Sequence, residues 1–192
     1  MQRELYLDLD GVCVDFIRGA IAAHDHNPDE VLTRWAAHHR GEFLPYKVMG
    51  IELDPFLDRL GELGESFWIQ LEPFPWFDEL YNRLSAIGHV VFCTATTRSP
   101  SCLSGKLHWL QDRFGNDFQD FILTSHKHRL AHANACLIDD FDDNIDRFRQ
   151  RGGQGVLFPQ IWNSNHAVDQ NPVEYVLERV AEATPEAPAR TR

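Results

Sequence analysis

Leu5-Tyr6-Leu7-Asp8-Leu9-Asp10-Gly11-Val12 runs from an apolar alternation into two carboxylates and a glycine. The alternation predicts a strand over Glu4 to Leu9 ending at Asp10-Gly11. Carboxylates at i and i+2 share one face of a strand, where their repulsion is costly unless a cation lies between them. Gly11 frees the turn, so that main chain can approach a ligand closely. In open parallel sheets ligands bind at the carboxyl ends of strands. Taken alone, the motif reads better as a solvated turn after a strand.

The rest of the chain alternates strand-like and helix-like stretches, as an α/β domain with a mainly parallel sheet does. His89 to Thr94, Phe118 to Thr124, Ala135 to Asp139 and Gln154 to Phe158 supply four further strands. Phe16, Ile17, Ala20 and Ile21 recur at helical spacing. Helices are also expected over Trp76 to Ile87 (face Phe77, Leu80, Tyr81, Leu84), Leu103 to Phe114 (face Leu103, Leu107, Leu110, Phe114) and Asp142 to Arg151. Glycines follow each of these three, as at helix C-termini. Residues 24–73 carry helical patterns and no strand, and are too long for a simple crossover. They read as a small helical cap over the strand ends, inserted after the first strand. The expected organisation is a core of residues 1–23 and 74–183, a cap of 24–73 and a Pro-rich, disordered tail of 184–192.

Chemically useful residues recur at successive strand ends. Thr94 closes the second strand, Lys127 follows the third, and Asp139-Asp140 ends the fourth with Asp143-Asn144 just beyond. Each has a bland account: Thr94 as a helix cap, Lys127 as a surface charge, Asp140 as an N-cap. A parallel sheet would bring them together, and in this order the bland account fails.

With DLDGV, the Thr94 strand end, Lys127 and LIDD in hand, the chain resembles the haloacid-dehalogenase-like phosphatases. DLDGVCVDF, FWIQLEPFPW, FCTAT, GKLHWLQDRFG, FILTSHK, CLIDD and GVLFPQIWN further resemble the cytosolic and mitochondrial 5′(3′)-deoxyribonucleotidases, from Leu5 to about His166 and least in the inserted segment. The resemblance implies a three-layer Rossmann-like fold and hydrolysis of (deoxy)ribonucleoside monophosphates. Asp8 would be the nucleophile, forming an aspartyl-phosphate, and Asp10 the general acid and base. Mg²⁺, which suits hard oxygen ligands, would be held by the Asp8 carboxylate, the Asp10 main-chain carbonyl and an acid of the last motif. Asp140 is expected in that place, with Asp139 beside it. Thr94 and Lys127 would hold the phosphoryl oxygens. One departure stands out: where relatives often carry a basic residue after the acidic pair, this chain has Phe141, with Arg98 and Lys106 as candidate replacements for the cation.

The aromatic residues Phe16, Phe43, Phe67, Trp68, Phe74 and Trp76 gather around the cap and its exit. Most are expected to pack the cap onto the core; Phe16 and Trp68 are the two candidates for stacking on a nucleobase. The histidine pairs lack the acid or cysteine that would complete a zinc set, and the serines lack a His/Asp partner pattern.

Composition sets outer limits. With 18 Lys and Arg against 29 Asp and Glu the net charge is −11, which disfavours nucleic-acid polymers and anionic membrane surfaces. Seven of those acids, Asp8, Asp10, Asp15, Asp139, Asp140, Asp142 and Asp143, lie in the two segments proposed to form or border the metal site, where Mg²⁺ would invert the local field. No apolar run is long enough to span a bilayer. Four scattered cysteines and an apolar strand starting almost at Met1, with no room for a leader, fit a reducing cytoplasm; a homodimer is left open. The leading expectation is a Mg²⁺-dependent nucleotidase acting on a small nucleoside monophosphate. The alternatives are the same machinery on another phosphoester such as a sugar phosphate, and a non-catalytic phosphate sensor.

Overall fold

A computed structural model describes residues 3–182. The expected tail of 184–192 lies outside the described residues. Five parallel strands form one sheet: β1 (Glu4–Leu7), β2 (His89–Thr94), β3 (Phe121–Leu123), β4 (Ala135–Asp139) and β5 (Gln154–Leu157), in the order β3-β2-β1-β4-β5. The first strand is therefore central. Leu7 registers with Phe92 on one side and Ile138 on the other, which brings Asp8 level with the ends of β2 and β4.

The two faces of β1 feed two cores, as the period-2 alternation requires. Leu5 and Leu7 join Phe77, Leu80 and Leu84 of α6 (Phe77–Ser85), Trp109 and Leu110 of α7 (Pro100–Phe114), and Val173, Val176 and Val180 of α9 (Pro172–Glu182). Tyr6 faces the other way, with Cys93 and Leu137, against Ile145 and Phe148 of α8 (Asp142–Gln150). Helices on both faces of a parallel sheet make three layers. All four cysteines are buried and free.

Between β1 and β2 the chain forms α1 (Phe16–Ala23), α2 (Pro28–His38), α3 (Pro45–Val48), α4 (Leu53–Leu63) and α5 (Glu65–Ile69). Asn27 caps α2 by accepting from the N–H groups of Asp29 and Glu30, with Pro28 in the first turn, a pairing suited to a helix start. Val31, Trp35, Val48, Met49, Phe56 and Leu60 close a third cluster over Ile17, Ile21 and Trp162. The segment thus shares its apolar core with α1 and with the loop after β5.

Several element expectations shift. β1 stops at Leu7 because the Leu9 carbonyl accepts from the N–H groups of Val12, Cys13 and Val14, turning the chain at once. α7 begins at Pro100 and presents another face: Cys102, Gly105, Lys106, Trp109 and Leu110 are buried, whereas Leu103 is exposed. α9 carries a Val173, Val176, Val180 stripe at helical spacing that the sequence reading passed over.

Candidate active site

The loop after β1 is held from several sides. Gly11 has φ of +78°, and a Cβ there would lie 2.0 Å from Asp140 Oδ2, so only glycine fits. Its carbonyl accepts from Gln160 Nε2 at 2.5 Å, and the Val12 carbonyl accepts from Trp76 Nε1 at 2.9 Å. Gly11 N–H closes on the Val14 carbonyl at 2.9 Å. Asp8 and Asp10 are thereby presented from a rigid turn at the centre of the sheet.

Lys127, at the start of a 3₁₀ turn (Lys127–Leu130), is buried, with Nζ 2.8 Å from Asp8 Oδ2 and 2.6 Å from Asp139 Oδ2. Burial would depress its pKa, but the charges of Asp139 and Asp8 outweigh that and raise it, so it stays an ammonium. Asp139 is satisfied elsewhere as well, accepting from Phe141 N–H at 2.9 Å and from Asn144 Nδ2 at 3.1 Å on each oxygen. Burial pushes the Asp8 carboxyl up to about 7; Lys127 lowers it, while Asp139 and Asp10 raise it. The Asp140 carboxyl is likewise raised by burial, and by Asp139 and Asp8. Asp140 accepts at Oδ2 from Trp162 Nε1 at 2.7 Å, and its carbonyl from Asn163 Nδ2 at 2.8 Å.

This donor set fits a divalent cation. Ligand atoms of Asp8, Asp139 and Asp140 lie within 4.8 Å of one another. Three buried carboxyl groups face one buried ammonium, and desolvation together with their mutual repulsion makes it costly to ionise all three without a cation. The histidines form no comparable group among the described residues.

A cleft of about 180 Å³ opens here, lined by Asp8, Asp10, Gly11, Thr94, Ala95, Lys127, Asp140 and Asn144, with Phe16, Ile17, Phe43 and Phe141 as its apolar wall. The sequence-predicted residues Asp8, Asp10, Thr94, Lys127, Asp140 and Phe16 are brought together. Asp139 sits behind Asp140, outside the lining. Trp68 does not reach the cleft and is corrected to a packing residue: it is 1% exposed, stacked under Phe16 with ring centroids 5.7 Å apart and planes 8° apart. Phe141 lies edge-on to Phe43 at 5.6 Å.

Neither candidate replacement cation stands free at the cleft. Arg98 is 85% exposed and pairs with Asp54. Lys106 is buried, and its three donors go to Asp10 Oδ2 at 2.5 Å, Thr94 Oγ1 at 2.9 Å and the Ala95 carbonyl at 2.6 Å. The sequence reading missed this lysine's pairing with Asp10, although its place in the Cys102, Lys106, Trp109, Leu110 stripe was a usable signal. It also missed Trp162 and Asn163, which no local pattern marks as partners of Asp140.

The profile of the family described as 5′ nucleotidase, deoxy (pyrimidine), cytosolic type C, matches residues 3–175. No curated protein sequence matches the chain. Among solved structures, a haloacid dehalogenase-like family hydrolase from Streptococcus pneumoniae superposes with TM-score 0.57 at 16% identity, over 92% of this chain and 98% of that one. A haloacid dehalogenase-type family hydrolase from Deinococcus radiodurans, solved with bound phosphate and sodium, gives 0.56 at 14% identity, over 95% and 96%. At such identities the likeness is one of fold.

Proposed function

This chain belongs to the cytosolic type C 5′-nucleotidase family and is a haloacid-dehalogenase-like phosphoric monoester hydrolase, and on that premise we propose that it removes phosphate from (deoxy)ribonucleoside monophosphates with the help of Mg²⁺. The observation that carries this reading is the two-sided cleft. Its floor is Asp8, Lys127 and Asp140, and its wall is Phe16, Ile17, Phe43 and Phe141. A charged floor suits a phosphate, and an apolar aromatic wall suits a flat base better than a polyhydroxylated sugar.

In this reading Asp8, Asp140 and the Asp10 carbonyl would hold Mg²⁺, with Asp139 orienting the site through Lys127 and Asn144. When bound there, the cation would supply positive charge to offset that on the phosphoryl oxygens. Lys127 favours the ionised form of Asp8 and holds it in place, and with Thr94 receives the phosphoryl group. Asp8 attacks phosphorus to give an aspartyl-phosphate while Asp10 protonates the leaving ester oxygen; Asp10 then takes a proton from the water that hydrolyses the intermediate. Residues 24–73 act as the cap that carries Phe43 to the cleft, over a core of 1–23 and the chain from 74 onward. Four free, buried cysteines suit an enzyme of the reducing cytoplasm.

Phosphate release from deoxy- and ribonucleotides and from sugar phosphates, with and without Mg²⁺, tests the reading. Nucleotide turnover that needs Mg²⁺ and vanishes in Asp8→Asn is expected. Turnover confined to sugar phosphates would overturn the substrate class, release surviving Asp8→Asn would overturn the nucleophile, and binding without any turnover would favour a sensor.

A further inference from the structure

Resting on that reading of Asp10, we propose that Lys106 is a positioning residue for the acid–base step: it anchors Asp10 Oδ2 to the end of β2 and so fixes the carboxyl group at the edge of the cleft. An ammonium has three donors, and Lys106 directs all three to named oxygens, on Asp10, Thr94 and Ala95. None is left for a phosphate. The anchored and unanchored oxygens of Asp10 are thus made different. Oδ2 is fixed, whereas Oδ1 is buried with no hydrogen-bond partner in the protein.

The fold goes to some length to place this lysine. Gly105 allows α7 to press on α5: a Cβ there would lie 2.5 Å from Trp68 Cβ and 2.9 Å from the Glu65 carbonyl. That close approach sets Lys106 deep enough to reach both strand ends. Its Nζ then lies 5.3 Å from the centre of the Trp68 ring, within cation–π range, and Trp68 in turn stacks under Phe16. A buried ammonium is tolerated only when so fully matched. Trp68, unable to touch a base, serves the site by holding Lys106 on one side and Phe16 on the other.

In the step itself the Asp10 carboxyl proton passes to the ester oxygen as that oxygen's bond to phosphorus breaks. Asp10 then takes a proton from the water that attacks the aspartyl-phosphate, so it returns to its starting form. Lys106 keeps its three protons throughout.

The test is a double-mutant cycle of Lys106→Met and Asp10→Asn, read on a simple alkyl phosphate and on 4-nitrophenyl phosphate with saturating Mg²⁺. A nitrophenolate leaves without a proton, whereas an alkoxide needs one. Lys106→Met is expected to lower kcat/KM, which reports the first phosphoryl transfer and not the shared hydrolysis of the intermediate, by about 10²-fold on the alkyl ester, the scale of general acid catalysis, and far less on the aryl ester. In the Asp10→Asn background, where the buried charge pair is already gone, it should add no further loss on the alkyl ester. Equal losses in kcat/KM on both esters, or additive losses in the double mutant, would each overturn the proposal. The two simple esters carry the comparison, so a wild-type enzyme that ignores nucleotides refutes the preceding reading while the cycle still decides the lysine.

Discussion

Trp162 donates its indole N–H to Asp140 Oδ2 at 2.7 Å, tying the loop after β5 to an acid at the end of β4. The indole is 4% exposed and packs at 5.8 Å against Trp35 of α2, so the helical segment between β1 and β2 also bears on this acid. Groups that orient metal ligands typically contribute 10- to 100-fold in metal affinity. Trp162→Phe keeps the ring volume and removes the donor. The Mg²⁺ concentration for half-maximal activity should rise by about that factor, with the unfolding temperature in the absence of metal little changed. An unaltered Mg²⁺ dependence would show that Asp140 needs no such anchor.

Phe16 and Trp68 are stacked, but their substitutions should separate cleanly. Phe16 lines the cleft, and base–aromatic stacking contributes about 1–3 kcal/mol. Phe16→Ala should therefore raise KM for a nucleotide more than for inorganic-like small esters. Trp68 lies in the core with Leu71, Trp109 and Leu110, and removing a buried tryptophan costs about 3–5 kcal/mol. Trp68→Ala should show its main effect in denaturant unfolding. A KM effect of Trp68→Ala confined to nucleotides, without loss of stability, would restore it as a base contact.

The sheet was legible because buried parallel strands are short apolar runs, and those that build the site end in an acid or a hydroxyl. Ala135 to Asp139 was delimited to the residue for that reason: apolar up to Ile138, then acid. Asp8, Asp10, Thr94, Lys127 and Asp140 follow from the same logic, since their positions are counted from strand ends. Residues acting from elsewhere were harder to read. Lys106 sits in the middle of a helix, where lysine reads as solvated, and only the register of α7 against α5 turns it inward. Trp68 looked like a stacking platform because sequence shows an aromatic near the site but not which side of Phe16 it occupies. The Trp162 and Asn163 contacts to Asp140 span 22 and 23 positions, a range at which one sequence carries no pairing signal.

Gly11 is a sharp test of how tightly loop and acid are fitted. Its backbone is left-handed, which already disfavours a side chain, and the space for a Cβ is taken by the carboxyl of Asp140. Gly11→Ala must displace Asp140 or unwind the turn that presents Asp8 and Asp10. Activity should fall by at least the factor expected for a misplaced metal ligand, about 10²-fold, and excess Mg²⁺ should not restore it. Near-normal turnover in Gly11→Ala would mean that Asp140 can move without consequence, which removes it from the ligand set.

The buried acids also set how stability responds to pH and metal. Burial raises the Asp8 carboxyl from 3.8 to about 7 in the folded chain, and Asp140 moves the same way. Between those pH values the folded form holds a proton that the unfolded form has lost. The stability this contributes is complete below about pH 4 and is lost as pH rises through about 7, at no more than about 1.4 kcal/mol per pH unit for one proton. Other groups titrate too, so the comparison is with Asp8→Asn, which cannot lose that proton: without metal it should gain in unfolding temperature over the wild type from pH 5 to pH 8. Mg²⁺ must displace the same protons to bind. The rise in unfolding temperature on adding Mg²⁺ should therefore be small at pH 5 and large at pH 8 in the wild type, and shallower with pH in Asp8→Asn. A Mg²⁺ shift of equal size at both pH values in the wild type would place the cation away from Asp8 and Asp140.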